Sequence, residues 1–414
     1  MAGDLIFAGR LLPLWVAFCF AAAASAQDAQ LAALHGTLET LREHATEIAA
    51  QRRMIPELTV AKHQLRDWIE SNLDSLSDFD SEKMKALGES INRELGGVSI
   101  VTESADDSQD FLGSAGDVRL ESQSGLLIVT TGVGIICDHD ESAYGYKRVD
   151  GHWKRVWETE QDDYAPGKYN PQTFAAVHVW QPIGDGHRDD PPLVMTLGNE
   201  WGCASFWHDV YYRVWRVNPS GSRLLIDRAE FAWLRAGEYI VGSIGQDWVA
   251  KSAPVDILIE FTERSVDGGV HNREAIRHFL IDGDNVRRVA PIALSPRDFV
   301  DEWLTQQWSE SAAWSASPAL LQWHGKIHGD FVAGDFGDTM HCETPDLWQV
   351  DFAPSDVKKD FAKEPDVYFL VRWSPPYRFT MVDVADKPWP LCKEVDAEAD
   401  QWRTLFNSQE WRWF

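Results

Sequence analysis

Apolar positions from residue 27 to 97 recur with helical spacing. Leu31, Leu34, Leu38, Leu41, Ala45 and Ile48 draw one narrow seam, three and four residues apart by turns. Pro56 ends or kinks that helix, because its ring blocks the preceding turn. Leu58, Ala61, Leu65, Trp68, Ile69, Leu73 and Leu76 continue with a second seam. Asp80 caps a third helix, with Met84, Leu87, Ile91 and Leu95 on one face, and Gly96-Gly97 stops it. The seams are short, so the pattern predicts helical-hairpin packing, not a long coiled coil. Residues 102–116, polar and acidic, read as a loop.

From 117 to 294 the period drops to two. Short runs rich in Val, Ile, Tyr and Trp alternate with Gly, Pro, Asn and Asp. Three hairpins stand out: YKRV-DG-HWKRVW (146–157), YRVWRV-NPSGS-RLLIDR (212–228) and RHFLI-DGDN-VRRV (277–289). Between them lie the strand-like runs 174–180, 192–197, 238–245 and 256–261. This predicts a central antiparallel all-β region of three hairpin-bearing units, propeller-like or a sandwich. No WD dipeptide or kelch-like glycine pair recurs at a fixed position.

Residues 295–414 mix periods. Ser295-Pro296 starts a helix carrying Phe299, Val300, Trp303, Leu304 and Trp308, and Ser317-Pro318 repeats the device before Leu320, Leu321, Trp323, Ile327 and Phe331. Alternation at Trp348, Val350 and Phe352, then at Val367, Phe369, Val371 and Trp373, predicts antiparallel strands. The whole is an expected α+β multidomain chain. A helical segment spans 27–97, a β-rich domain 117–294 and a small tryptophan-rich α+β domain 295–414. Ten of the twenty tryptophans fall in that last region, which suits a compact core and a ligand cleft equally.

Residues 1–26 have a separate meaning. Arg10 precedes an apolar run that ends in Ala24-Ser25-Ala26, followed by polar QDAQ. That is the pattern of a cleaved export signal, and the run is short for a membrane span. The expected location is therefore periplasmic or extracellular, with no stable span after cleavage. In an oxidising compartment Cys137, Cys203, Cys342 and Cys392 are expected to form disulfides. The favoured pairs are Cys137–Cys203 and Cys342–Cys392, each within one predicted domain. A net charge of −27 disfavours nucleic acid and anionic lipid as partners.

Candidate chemistry is sparse. The chain has no G-x-S-x-G elbow, HExxH, Walker loop or G-x-G-x-x-G. In WHGKIHGDF, His324 and His328 stand one helical turn apart, and His341 lies nearby in sequence with Asp335 and Asp338. That spacing suits two metal ligands, although Gly325 stands where a zincin carries its glutamate. The competing reading places both histidines half exposed beside a buried stripe. Residues 138–142 (DHDES) begin like a calcium loop, but Ala143 and Val149 replace its required glycine and acid, so a turn is expected. The run 199–215 sets Glu200, His208 and Asp209 among Trp201, Trp207 and Tyr211. Rings stack on sugars while acids accept hydroxyl protons, and paired acids cleave glycosides.

Three functions follow as expectations. The first is an exported, non-catalytic binding protein for a protein or glycan ligand, without a cofactor. The second is an extracytoplasmic glycan hydrolase using Glu200, His208 and Asp209. The third is a metalloprotein at His324 and His328.

Overall fold

The computed structural model describes residues 12–44, 56–96, 113–135, 138–162, 172–181, 191–200, 207–233, 255–264, 272–289, 293–330, 333–355, 366–375 and 378–394. Among the described residues three helices come first: α1 (Leu12–Glu43), α2 (Pro56–Leu73) and α3 (Ser81–Glu94). The strands β1 (Arg119–Gln123), β2 (Leu126–Ile135), β3 (Asp138–Val149) and β4 (His152–Thr159) form a four-stranded sheet in chain order. A seven-stranded sheet follows, also in chain order. It holds β5 (Gln172–Trp180), β6 (Leu193–Glu200), β7 (Trp207–Asn218), β8 (Gly221–Trp233), β9 (Val255–Arg264), β10 (Asn272–Asp282) and β11 (Asn285–Arg288). Then come α4 (Pro296–Thr305), α5 (Trp308–Ser311) and α6 (Leu320–Asp330). The last sheet has the order β15-β14-β13-β12-β16, from β12 (Ala333–Cys342), β13 (Leu347–Ser355), β14 (Val367–Ser374), β15 (Arg378–Ala385) and β16 (Cys392–Glu394).

The α+β, multidomain organisation is thus as expected, and among the described residues no barrel closes. The strands do not fall into three equal units. Neighbouring strands of the second sheet are consecutive in the chain, so that sheet runs on to seven strands where a blade would stop at four. All three expected hairpins form. Asp150-Gly151 joins β3 to β4 with φ of 52° and 87°, and Ser124-Gly125 joins β1 to β2 with φ of 48° and 77°. Both are two-residue turns of the kind that favours glycine, matching the strand twist. The run 238–245 lies outside the described residues, as do Ala45 and Ile48. Pro56 opens α2, where its missing N–H costs nothing, and residues 45–55 before it lie outside the described residues. Asp80 caps α3 by accepting the Lys83 N–H, and Ser295 caps α4 by accepting the Asp298 N–H, both at 3.0 Å.

The chain divides into two compact units. The first holds Met1–Trp180, Pro192–Ser205 and Val214–Leu224. In it the four-stranded sheet is buried on both faces. Leu127, Val129, Val133, Tyr144 and Tyr146 pack against Leu34, Leu38, Leu65, Trp68 and Ile91 of the helices. The alternate residues Leu126, Ile128, Ala143 and Trp157 pack against Val194, Trp215 and Val217. The helical segment therefore shares one core with β1 to β3. One sheet face needs cover, and the three apolar helix faces supply it. The second unit holds Gln181–Pro191, Phe206–Arg213 and Leu225–Phe414. There Phe299, Trp303 and Ile327 of the helices pack on Val350, Phe369, Val371 and Met381 of the five-stranded sheet.

Cys342 and Cys392 form the expected disulfide, tying β16 to β12 across a separation of 50 residues. Cys137 and Cys203 lie outside the described residues. Changing both Cys342 and Cys392 to serine is expected to lower the unfolding free energy by about 2–4 kcal/mol, the usual cost of releasing such a loop. Urea midpoints of the two proteins, measured without reductant, check this.

Candidate functional site

The histidines of WHGKIHGDF do not behave as a ligand pair. His324, expected half exposed, is 2% exposed. Its Nε2 meets the Trp303 carbonyl at 3.0 Å, and its ring stands edge-on to Trp303 with centroids 4.6 Å apart. Trp308 covers it from another side. The helix rotates this position inward because α4 and α5 both pack over it. His328 follows one turn later in α6, with its side chain outside the described residues. His341 lies on β12, bonded to the Pro345 carbonyl at 3.0 Å and set against Trp348. His324 and His341 join no metal-capable group among the described residues.

The segment 138–142 is not a turn but the start of β3. Its central acid, Asp140, is fully buried. Glu200 ends β6 opposite Gln172, and His208 and Asp209 lie in β7. The side chains of Glu200, Trp207, His208 and Asp209 lie outside the described residues, as does all of Trp201. Tyr211 is described, and the Arg213 guanidinium lies over its ring at 5.3 Å.

Most strongly shifted titratable groups belong to buried ion clusters. In the second unit, Glu302 of α4 receives Arg273 and Arg277 from β10 and Arg288 from β11. Burial alone would raise the Glu302 carboxyl. The guanidinium groups of Arg277, Arg273 and Arg288 outweigh it and hold the carboxyl at about 2. Glu230 of β8 joins through Arg277, and Tyr212 of β7 donates to Glu230 at 2.9 Å. Burial and the Glu230 charge together push the Tyr212 phenol well up. Every one of these groups is engaged with another, which suits fastening sheet to helix better than chemistry.

Two features of the first unit open to solvent. One is a groove of about 600 Å³ between α3 and β1. One α3 face, Ser81, Met84, Lys85, Gly88, Glu89 and Asn92, forms one wall. Phe79, Val118 and all of β1 up to Ser122 complete it. Among the described residues β1 is an edge strand, and its register is set by the tight turn. Gln123 faces Leu126 beside that turn, so residues 123, 121 and 119 bond to β2. Val118, Leu120 and Ser122 therefore turn their backbone N–H and C=O groups outward. At Val118 this is visible directly. Its N–H donates to the Asn92 side chain at 2.8 Å, and its carbonyl accepts from the Asn92 amide at 3.1 Å. Asn92 thus stands where a neighbouring strand would be. Gln123 does the same for β5, accepting the Val179 N–H at 2.8 Å and donating to the Val177 carbonyl at 3.3 Å.

The other feature is a polar row on α2. Lys62, His63, Arg66 and Glu70 flank its apolar stripe, one or two turns apart. Lys62 is 2% exposed and meets Asp140 at 3.0 Å and the Gln161 carbonyl at 2.7 Å. Arg66 meets Glu160 at 2.9 Å, and the Tyr144 hydroxyl donates to the same carboxylate. Burial, then the Glu160 charge, pushes the Tyr144 phenol well up, so this proton stays in place. His63 lies between Glu160 and Asp162.

No family model matches the chain, and no curated protein matches it. Among solved structures it is similar to one described as a BT0996 RGII complex, with 10% identity over 66% of this chain and 87% of that one, at a TM-score of 0.21. A glycoside hydrolase matches with 9% identity over 66% of this chain and 88% of that one, at 0.19. TM-scores this low carry no argument about fold or chemistry. The polar row and the groove left no motif in the sequence. Their partners come together from stretches 26 to 99 residues apart.

Proposed function

We propose that the protein is an exported, non-catalytic interaction protein that binds an extended polypeptide segment of a partner along β1. The carrying observation is the outward-facing backbone of Leu120 and Ser122 on an edge strand inside the α3–β1 groove. An added strand would pair with these groups, and its alternate side chains would enter the space beside Phe79 and Met84. Lys85 and Arg119 are balanced by Glu89 and Glu121 on the groove walls, so the partner segment needs no strong charge of its own. Asn92 blocks pairing beyond Val118, which limits the added strand to one end of the groove.

Export is supported by the placement of α1. Cleavage after Ala26 would leave Leu34, Leu38 and Leu41, which bury in the helix–sheet core, on the mature chain. Among the described residues no helix is long and apolar enough to cross a membrane. N-terminal sequencing of the protein from culture medium or periplasm should begin at Gln27.

Selecting a library of displayed linear ten-residue peptides against the mature chain tests the binding reading. Enriched peptides should carry alternating apolar positions. Ser122→Pro removes an outward N–H without touching a β2 ladder bond. It is expected to weaken the selected peptides about tenfold, the worth of one or two hydrogen bonds. Enrichment that survives Ser122→Pro unchanged, or no enrichment, counts against the reading. The hydrolase alternative rests on side chains outside the described residues.

A further inference from the structure

We propose that His63, Glu160 and Asp162 form a binding site for a divalent cation of the zinc class. His63 Nε2 lies 2.9 Å from Glu160 Oε1 and 3.0 Å from Asp162 Oδ1. Three donor atoms from three side chains thus converge within 4.8 Å of one another, the one such group among the described residues. Two ligands on a tetrahedral zinc, with bonds of ~2.0 Å, stand ~3.3 Å apart. To reach that spacing, His63 Nε2 draws back by about 0.4 Å from Glu160 and about 0.3 Å from Asp162.

The arrangement is held from behind. Glu160 has a side chain only 2% exposed, fixed by Arg66 and by the Tyr144 hydroxyl. The Thr59 hydroxyl reaches the Asp162 carbonyl at 3.5 Å. Supporting partners of this kind set the orientation of metal ligands. The front of the site is open: the side chains of His63 and Asp162 are 39% and 51% exposed. An ion can enter there, and water can take its remaining position. One imidazole nitrogen with two carboxylate oxygens suits zinc, cobalt or manganese and lacks the thiolate that soft ions prefer.

Arg66 competes for Glu160 Oε1, the oxygen that also faces His63. It has a second acid in Asp67 at 3.2 Å, so it can yield that oxygen without losing all its partners. Lys62 is already engaged by Asp140. The net charge of −27 raises the local concentration of cations around the chain. The site stands apart from the groove, so its test is independent of the binding reading above.

The test uses the full mature chain stripped with EDTA. Zn²⁺ is titrated by calorimetry and Co²⁺ by visible absorption. One equivalent of each should bind, and Ca²⁺ should not compete at equal concentration. His63→Ala and Asp162→Asn should each weaken binding by about tenfold or more. His152→Ala, an exposed histidine beside Asp74, should leave it unchanged. Circular dichroism melts show whether each variant folds. Should His63→Ala not fold, the exposed Asp162→Asn decides alone. No saturable uptake, equal uptake of Ca²⁺, or uptake undiminished by Asp162→Asn overturns the proposal.

Discussion

Glu302→Gln should lower the unfolding free energy at pH 7 by about 3–5 kcal/mol, the cost of breaking a buried ion cluster from one side. The glutamine keeps the volume but withdraws the charge that Arg273, Arg277 and Arg288 all address. Glu230, Glu310 and Asp301 remain beside Arg277, Arg288 and Arg273, but Glu302 is the carboxylate that all three arginines share. The pH dependence gives a second reading. The folded carboxyl sits at about 2 against an ordinary 4.5. Its pKa is depressed, so its contribution is complete above pH 4.5 and is lost as pH falls towards 2. A depression of that size is worth roughly 3 kcal/mol. The stability gap between wild type and Glu302→Gln should therefore close between pH 4.5 and 2. Urea titrations at stepped pH measure it, and a gap that stays constant over that range would refute the assignment.

Lys62→Met should cost about 3–5 kcal/mol as well, for the complementary reason. It leaves the fully buried Asp140 without its cation. Asp140 also accepts the Gln172 N–H at 3.0 Å, so it cannot turn away to water without releasing β5. Asp140→Asn removes the charge while keeping an oxygen for Gln172. The double variant Lys62→Met/Asp140→Asn is expected to recover part of the loss. A double-mutant cycle gives the coupling, and a loss below about 1 kcal/mol for Lys62→Met would place this pair with ordinary surface bridges.

Both clusters show where reading the chain stops. The α2 stripe of Leu58, Ala61, Leu65, Trp68 and Ile69 is plain from its spacing and is buried as expected. Lys62 and His63 carry no such signal. They look like a solvated flank, and only contact with β3 and the end of β4 makes one buried and the other bridging. DHDES resembles a poor calcium loop as long as its acids are counted without a fold. As the first residues of β3 they alternate, and Asp140 points inward to Lys62. His324 shows the reverse error. A position beside an apolar stripe is half exposed on an isolated helix. Here α4 and α5 supply a second packing surface and bury it.

The sequence by itself determined the local elements: the seams of α1 to α3, the caps at Asp80 and Ser295, the Asp150-Gly151 turn and the alternation of the late strands. Each depends on residues a few positions apart, whose propensities and hydrogen bonds act before the chain has folded. It also carried the Cys342–Cys392 pairing, once each cysteine was assigned to the same domain. Only the tertiary structure decided that the first helices share a core with β1 to β3. It alone placed three arginines around Glu302, set Asn92 against the edge of β1 and put His63 between two carboxylates. Those arrangements join residues 14 to 99 positions apart. Side-chain burial and charge pairing at such separations follow from how layers stack, which no local pattern encodes.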